Sequence, residues 1–170
     1  MNDDLRVFYA WVRRSREVLL GYCASLPPEI YTQERLDFAF GSIRNLHVHV
    51  ADCYLWWLGS VGMGRPETVL KGADFPNVAT VRLAFEGVDR LVEEALSSFD
   101  RLNEVYVWTH PRKSWKANLS QRWLLLHPIT HEFHHKGQMV ALGRMLGHPV
   151  PGSYDTDLVN PEPAPGQSFN

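Results

Sequence analysis

The sequence has few cysteines, no long apolar run and no large excess of charge of either sign. Its two cysteines, Cys23 and Cys53, are too few for the disulfide framework of a small secreted domain. No apolar run approaches the roughly 20 residues that a membrane-spanning helix needs. The formal net charge of -2 gives no electrostatic reason to expect binding to nucleic acid or to an anionic membrane. Since the acidic N-terminus also lacks a signal-peptide pattern, we expect a cytoplasmic protein.

Four segments show the 3.6-residue hydrophobic periodicity of amphipathic helices. Ser42, Asn77 and Ser120 are suitable N-cap residues for the second, third and fourth of them. The first, third and fourth predicted helices span about residues 2–26, 77–102 and 120–147. The second begins near 42 and ends in the glycines Gly59, Gly62 and Gly64. Four such segments without alternating strands predict an all-α fold, a four-helix bundle, in which metal and ligand sites are usually built between facing helices.

The remaining segments are less regular. Residues 103–119 are predicted to be irregular, with a short extended piece at 105–108. Pro128 lies inside the fourth predicted helix, where its missing backbone N–H should interrupt and kink the helix. Residues 148–170 hold five of the eleven prolines and are expected to form a tail that frays toward its end. We expect one domain over residues 1–170, including this tail.

Two features of the chain are interpreted as structural and not as parts of a functional site. The basic run Arg13-Arg14-Ser15-Arg16 is interpreted as a solvated face of the first helix. Cys23 and Cys53 are interpreted as small buried hydrophobic residues. Cys53 has an alternative role, because it follows His49 by four residues on the same helix face and its thiolate could join a metal site.

The fourth predicted helix carries histidines along its apolar stripe. His127, His131 and His135 follow one another at intervals of four residues, so they lie on one face. Each buried imidazole would need its own hydrogen-bond partner, whereas one metal ion satisfies several at once. We therefore predict a metal site on this face. Spacing alone does not exclude His134 in favour of His135, because His134 is also a near neighbour of His131.

The second predicted helix carries the other histidine pair, His47 and His49. Their spacing of two places them about 200° apart around the helix, so both cannot face the bundle interior, and spacing does not choose between them. Three neutral imidazoles with one open position are typical of a catalytic zinc site. Nickel and iron accept the same ligands, so the pattern predicts one divalent ion without identifying it.

The stretch His131-Glu132-Phe133-His134-His135 also matches H-E-x-x-H, the zinc-protease motif in which the glutamate is the general base. The extended form of this motif fails, because Gln138 and Ala141 stand at its glycine and third-histidine positions. A protease is therefore disfavoured. We expect Glu132 to support a metal ligand from behind or to lie at the surface, and we assign no catalytic residue.

Two stretches carry a resemblance to a known family. One is Ser42-Ile43-Arg44-Asn45-Leu46-His47-Val48-His49-Val50-Ala51-Asp52, followed by Trp56-Trp57-Leu58. The other is His127-Pro128-Ile129-Thr130-His131-Glu132-Phe133-His134-His135-Lys136-Gly137-Gln138, followed by Leu146-Gly147-His148. Together they resemble the DinB-like superfamily, also called the YfiT-type metal-dependent hydrolases. The resemblance covers most of the chain, and its most specific part is the ending H-K-G-Q.

The resemblance implies a four-helix bundle with a three-histidine metal site. The family's first ligand precedes an aliphatic-Ala-acidic step, which matches His49 and not His47. The other two ligands match His131 and His135. His127 then resembles a residue at the side of the pocket, and His134 becomes a neighbour of the ligands.

The remaining histidines and one cysteine complete the expectations from this resemblance. His47, His110 and His148 are expected to be structural or at the surface. Cys53-Tyr54 departs from the small and acidic residues that other members often have there, so the surroundings of His49 are expected to differ.

The resemblance implies a function less specifically than it implies a site. Characterised members of the family include thiol S-transferases that use bacillithiol or mycothiol and a mycothiol-dependent isomerase. We expect a divalent-metal-binding protein that is a metal-dependent enzyme with a small-molecule substrate, such as a low-molecular-weight thiol S-transferase. A metal-dependent hydrolase of a small substrate and a non-catalytic metal-binding stress protein are the alternatives. Because family members often dimerise, we also expect a homodimer.

Overall fold

The computed structural model describes residues 3–151, and four long helices make up most of them. The α-helices are α1 (Asp3–Ser25), α2 (Pro28–Thr32), α3 (Ile43–Tyr54), α4 (Val78–Ser98) and α5 (Gln121–Met145). A π-helical segment, Leu55–Gly62, continues α3, and a 3-10 turn covers Gly72–Asp74. The two short strands are β1 (Tyr106–Thr109) and β2 (Lys116–Leu119). The predicted all-α four-helix architecture is confirmed.

The predicted N-caps of three helices are confirmed. Ser42 Oγ accepts a hydrogen bond from Asn45 N at 3.1 Å at the start of α3. Asn77 caps α4 through Thr80 N at 3.0 Å, and Ser120 caps α5 through Trp123 N at 3.2 Å. Each cap satisfies a backbone donor that has no partner within its own helix, so these residues fix where the long helices begin.

Three local predictions differ from the structure. The third long helix ends at Ser98 rather than near 102. Residues 103–119 are less irregular than predicted: the extended piece expected at 105–108 overlaps β1, and β1 pairs antiparallel with β2, Tyr106 lying opposite Leu119. The helix α5 runs through Pro128 without interruption, since one lost backbone hydrogen bond is outweighed by the packing of the buried face of this 25-residue helix. A four-residue strand is too short to give a clear alternating pattern, so β2 and its pairing with β1 escaped prediction.

The interpretation of the basic run as a solvated face is wrong for half of it. Ser15 and Arg16 are buried, and the Arg16 side chain is 3% exposed. Arg13 is exposed as expected and pairs with Asp89 at 3.1 Å. A local pattern assigns arginine to solvent, whereas the carboxylates that accompany Arg16 into the interior lie on distant parts of the chain.

The long helices enclose one apolar core. In this bundle α3 packs along α5, and α1 packs along α4 and more lightly along α5. Cys23 and Cys53 are free thiols in the interior, as predicted. The largest fully buried side chains include Tyr31, Tyr54, Leu19, Leu20, Ile43, Leu46, Leu58, Leu124, Met139 and Leu142. The seam between α3 and α5, where polar side chains interrupt this core, positions the candidate site. The predicted tail beyond residue 151 lies outside the described residues.

Candidate metal centre

Three histidines converge across the seam between α3 and α5. His49 projects from α3, and His131 and His135 project from successive turns of α5. His131 Nε2 lies 2.9 Å from His49 Nε2 and 3.0 Å from His135 Nε2. All three donor atoms lie within 4.8 Å of one another. We call these residues the histidine triad.

The geometry of the histidine triad suits a small divalent ion. Zinc–nitrogen bonds of about 2.0–2.1 Å in a tetrahedral arrangement separate two nitrogens by roughly 3.3 Å, close to the two Nε2 separations seen here. A neutral imidazole carries one N–H, and three ring nitrogens directed at one point cannot each receive a proton from the others. One cation accepts all three lone pairs. A candidate three-histidine metal site is therefore present, and its donors are compatible with a divalent ion.

Hydrogen bonding and burial favour the neutral form of the triad imidazoles, in which a ring nitrogen keeps a lone pair that can bind an ion. His135 Nδ1 lies 2.7 Å from Gln138 Oε1. Since the amide oxygen can only accept, Nδ1 carries the proton and Nε2 keeps its lone pair for the site. Burial, helped by the neighbouring imidazoles, lowers the pKa of His49 to about 4 and that of His131 to about 4. All of this favours neutral imidazoles near pH 7.

The two histidines that spacing could not exclude lie differently. His47 is buried away from the triad, with its Nδ1 3.2 Å from Tyr31 Oη and its ring against Phe85. Burial, with Arg16 nearby, lowers the pKa of His47 to about 3. His134 is exposed beside His135. The structure therefore brings together His49, His131 and His135, and it leaves His47 and His134 outside the cluster.

The structure adds Phe40, a residue that the sequence analysis missed. Its ring stacks on the His49 ring with centroids 4.0 Å apart and meets the His135 ring edge-on at 5.4 Å. Phe40 is 47% exposed and has φ = 59°, the left-handed conformation that a bulky side chain rarely adopts. Strained backbone of this kind persists where the surrounding structure imposes it, often at functional sites. The one sequence signal was its position next to Gly41 and the Ser42 cap.

Glu132 follows His131 in sequence but faces another part of the bundle. Its carboxylate accepts hydrogen bonds from Arg16 Nε at 2.7 Å, from the Arg16 terminal nitrogen at 2.9 Å and from Tyr54 Oη at 2.6 Å. Arg16 also pairs with Asp89 at 2.7 Å, and Tyr9 Oη donates to Asp89 at 2.6 Å. We call these five residues the ion-pair network. The alternative of a surface position for Glu132 is wrong, because this residue is buried.

His127 continues the row of α5 histidines beyond the triad. Its ring stacks on Trp123 with centroids 4.4 Å apart, contacts Trp57 edge-on at 5.2 Å and lies 5.7 Å from the His131 ring. The Cys53 sulfur, one turn after His49 on α3, groups with ring nitrogens of His127 and His131 within 4.8 Å. Burial, with the Asp52 and Glu132 charges, raises the pKa of the Cys53 thiol to about 12.

Aromatic residues of the β-hairpin cover the far end of this row. Trp108, His110 and Trp115 from the hairpin contact Trp56 and Trp57 of the π-helical segment. Two surface clefts of about 780 and 420 Å³ border this aromatic cluster, and both include Trp56 in their walls. No member of the histidine triad lines either of these two clefts. His110 itself is buried, and its Nδ1 accepts a hydrogen bond from Arg112 N at 3.1 Å.

Comparison with known proteins gives a family for this arrangement. The family model described as DinB family matches residues 1–166, nearly the whole chain. The chain belongs to the DinB family. No curated protein matches the sequence. Membership in the DinB family and the convergent histidine triad fit a metal-binding DinB-like protein.

The H-K-G-Q stretch, which carried the resemblance to this family, has a structural explanation at three of its positions. His135 belongs to the triad, and Gln138 fixes its tautomer. Lys136 is buried and donates to Ser15 Oγ at 2.5 Å, which ties α5 to α1. Between residues 3 and 151, none of the helices has both the length and the apolar content that crossing a membrane requires.

Proposed function

We propose that this DinB-family protein is a divalent-metal-dependent enzyme with His49, His131 and His135 as the metal ligands, and that it acts as a low-molecular-weight thiol S-transferase. The convergence of three Nε2 atoms is the observation that carries this proposal. Three protein donors leave at least one position of a four-coordinate ion open, which is the layout of catalytic rather than structural sites. Zinc, nickel and iron all remain candidates for the ion.

The bound ion would act as a Lewis acid that lowers the pKa of a thiol or water placed at the open position. In thiol transfer a sulfur–carbon bond forms, the bond from that carbon to its leaving group breaks, and the thiol proton departs with the leaving group. The protein's residues hold the site for this reaction: Gln138 orients His135, and Phe40 borders His49 with an apolar face. The nucleophile is proposed to be an external thiol, since burial raises the pKa of Cys23 and of Cys53 to about 12.

Metal-dependent hydrolysis of a small substrate is a weaker alternative. In an H-E-x-x-H enzyme the glutamate must reach the attacking water beside the ion. The Glu132 carboxylate is instead held by Arg16 and Tyr54 in the ion-pair network. A hydrolase of this kind would therefore need another general base.

A non-catalytic metal-binding role is the second candidate. In this role the ion would hold α3 and α5 together, since His49 projects from α3 whereas His131 and His135 project from α5. Phe40 borders His49 and His135, so a substrate would approach the triad past this side chain only if the protein is an enzyme.

The ligand assignment is tested by elemental analysis and chelator competition on purified, untagged protein loaded with Zn²⁺, Ni²⁺ or Fe²⁺. We expect about one ion per chain. His49→Ala, His131→Ala and His135→Ala should each weaken binding by more than about 100-fold, because loss of a ligand exceeds the 10–100-fold effect of losing a residue behind one. His134→Ala is the matched control, since it removes an exposed imidazole next to the triad. Tight binding in any one triad variant would remove that residue from the site.

Activity is tested separately with the metal-loaded protein, a set of low-molecular-weight thiols and an alkylating electrophile. Consumption of the thiol faster than in the buffer control, and its loss in His135→Ala, would support the transferase. Metal binding without turnover of any thiol or ester substrate would favour the non-catalytic role. Failure to bind any ion would rule out both.

Three expectations about the whole protein stay proposals. We propose a single domain over residues 1–170, a cytoplasmic location and a homodimer. In the described structure the tryptophans of the π-helical segment are already in contact with the chain's own hairpin. Light scattering on the purified protein measures the oligomeric state, and a monomeric mass at micromolar concentration would reject the homodimer.

A further inference from the structure

Side chains that can bind a metal ion follow one another along the seam between α3 and α5. On α3, His49 and Cys53 lie one turn apart, and on α5 His127, His131 and His135 lie at successive turns. His49 groups with His131 and His135, whereas Cys53 groups with His127 and His131. The two groups thus share His131 and lie next to each other along the seam, about one helical turn, or 5.4 Å, apart.

The second group contains a different kind of donor. Cysteine sulfur is a soft ligand that favours ions such as Cd²⁺, Cu⁺ and Zn²⁺, whereas an all-imidazole set also suits nickel and iron. The donor atoms of Cys53, His127 and His131 lie within 4.8 Å of one another. A zinc ion with sulfur at about 2.3 Å and nitrogen at about 2.0–2.1 Å would need them to approach by at most roughly an ångström.

The positions of these side chains allow that approach. His127 is half-buried, and its ring contacts Trp123, Trp57 and His131. Among the described residues no hydrogen bond to this ring is present that would have to break before the ring moved. Cys53 is 8% exposed, with its sulfur already among these donor atoms. A neutral His131 ring offers one lone pair, so it serves one ion at a time.

We propose that Cys53, His127 and His131 form a second metal-binding set for soft ions, which shares His131 with the histidine triad and is an alternative to it for a single bound ion. On binding, a sulfur–metal bond forms, the Cys53 thiol proton passes to solvent, and no oxidation or reduction occurs. The soft-ion set does not need His49 or His135, so it does not depend on the proposed function.

The experiment is titration of full-length, metal-free protein with Cd²⁺, followed by ultraviolet absorption. Thiolate coordination gives a sulfur-to-cadmium charge-transfer band that imidazole coordination lacks. We expect the band in the wild type and in His49→Ala. We expect it to be lost in Cys53→Ala and Cys53→Ser. Cys23→Ser is the matched control, because Cys23 is the other buried free thiol and should leave the band unchanged.

Two further measurements separate loss of metal binding from loss of folding and test the part of His127. Circular dichroism establishes that each variant is folded, and His127→Ala should require a higher Cd²⁺ concentration for the same band. No band in the folded wild type at saturating Cd²⁺, or a band that survives in Cys53→Ser, would overturn the soft-ion set. Loss of the band in His49→Ala would overturn it as well, since the ion would then be held by the triad with sulfur as an added ligand. Failure of the triad to bind Zn²⁺ or Ni²⁺ would leave these outcomes unaffected.

Discussion

Two consecutive residues of α5, His131 and Glu132, belong to two polar regions with opposite properties. Glu132 lies in the ion-pair network, where its carboxylate receives three hydrogen bonds from Arg16 and Tyr54. His131 lies in the histidine triad, where ring nitrogens face ring nitrogens. In the first region each acceptor meets a donor, whereas in the second three ring nitrogens face one another and the one N–H of each neutral imidazole cannot satisfy them all. The hydrogen-bonding groups of the ion-pair network are therefore satisfied within the protein, whereas the ring nitrogens of the histidine triad have lone pairs left for a bound ion.

The largest expected effect comes from breaking the ion-pair network. Glu132→Ala should lower the free energy of unfolding by about 3–5 kcal/mol, because it leaves the Arg16 guanidinium buried without its bidentate partner. Urea denaturation of the metal-free protein measures this change. His131→Ala, the neighbouring substitution, should have a much smaller effect on the stability of the metal-free protein while weakening metal binding by more than about 100-fold. Equal destabilisation by the two variants would contradict the distinction between the regions.

A second substitution tests whether the hydrogen bond from His135 to Gln138 orients the His135 ring for metal binding. Gln138→Ala removes the acceptor of the His135 Nδ1 proton and should weaken metal binding by roughly 10- to 100-fold. Gln138→Glu keeps an acceptor at that position and serves as the control. Chelator competition measures both variants. Wild-type affinity in Gln138→Ala would show that the hydrogen bond to His135 contributes nothing to the site.

His47 is a third buried polar group, which belongs to neither region. Its Nδ1 has one partner, Tyr31, and among the described residues its Nε2 has no hydrogen-bond partner. Burial lowers its pKa to about 3, so below about pH 6.5 only the unfolded chain takes up this proton. The contribution of His47 to stability is therefore complete above pH 6.5, and this contribution falls by about 1.4 kcal/mol per pH unit as the pH decreases toward 3. His47→Gln should remove about 2 kcal/mol of the difference in unfolding free energy between pH 7 and pH 5. An unchanged difference would exclude this role for His47.

The smallest expected effect concerns the left-handed backbone at Phe40. Phe40→Gly and Phe40→Ala both remove the ring from His49, but only glycine adopts φ = 59° without strain. The glycine variant should be more stable than the alanine variant by about 1 kcal/mol. Thermal unfolding of the two proteins measures the difference. Identical stabilities would show that the backbone relaxes once the ring is removed.

The features that the sequence predicted are those with a local or periodic signal. The helices followed from hydrophobic spacing, and their starts from Ser42, Asn77 and Ser120. The row of α5 histidines followed from spacing, whereas only the family resemblance separated His49 from His47. Burial of Arg16 and the contact of Phe40 with His49 depend on residues far apart in sequence or on a single unusual backbone angle. No local pattern encodes either feature, and a four-residue strand such as β2 is too short for its alternation to be recognised.

The buried Glu132 also has a consequence for conformational entropy. Three hydrogen bonds fix the rotation of α5 about its own axis, and the Lys136–Ser15 bond fixes it again one turn later. His131 and His135 are therefore aligned with His49 by contacts that involve no ion. Most of the entropy lost in assembling three imidazoles is then lost during folding, and only a small part remains to be lost when an ion arrives. We expect the ion to bind a site that folding has already organised, with little change in helical content between the metal-free and metal-bound protein.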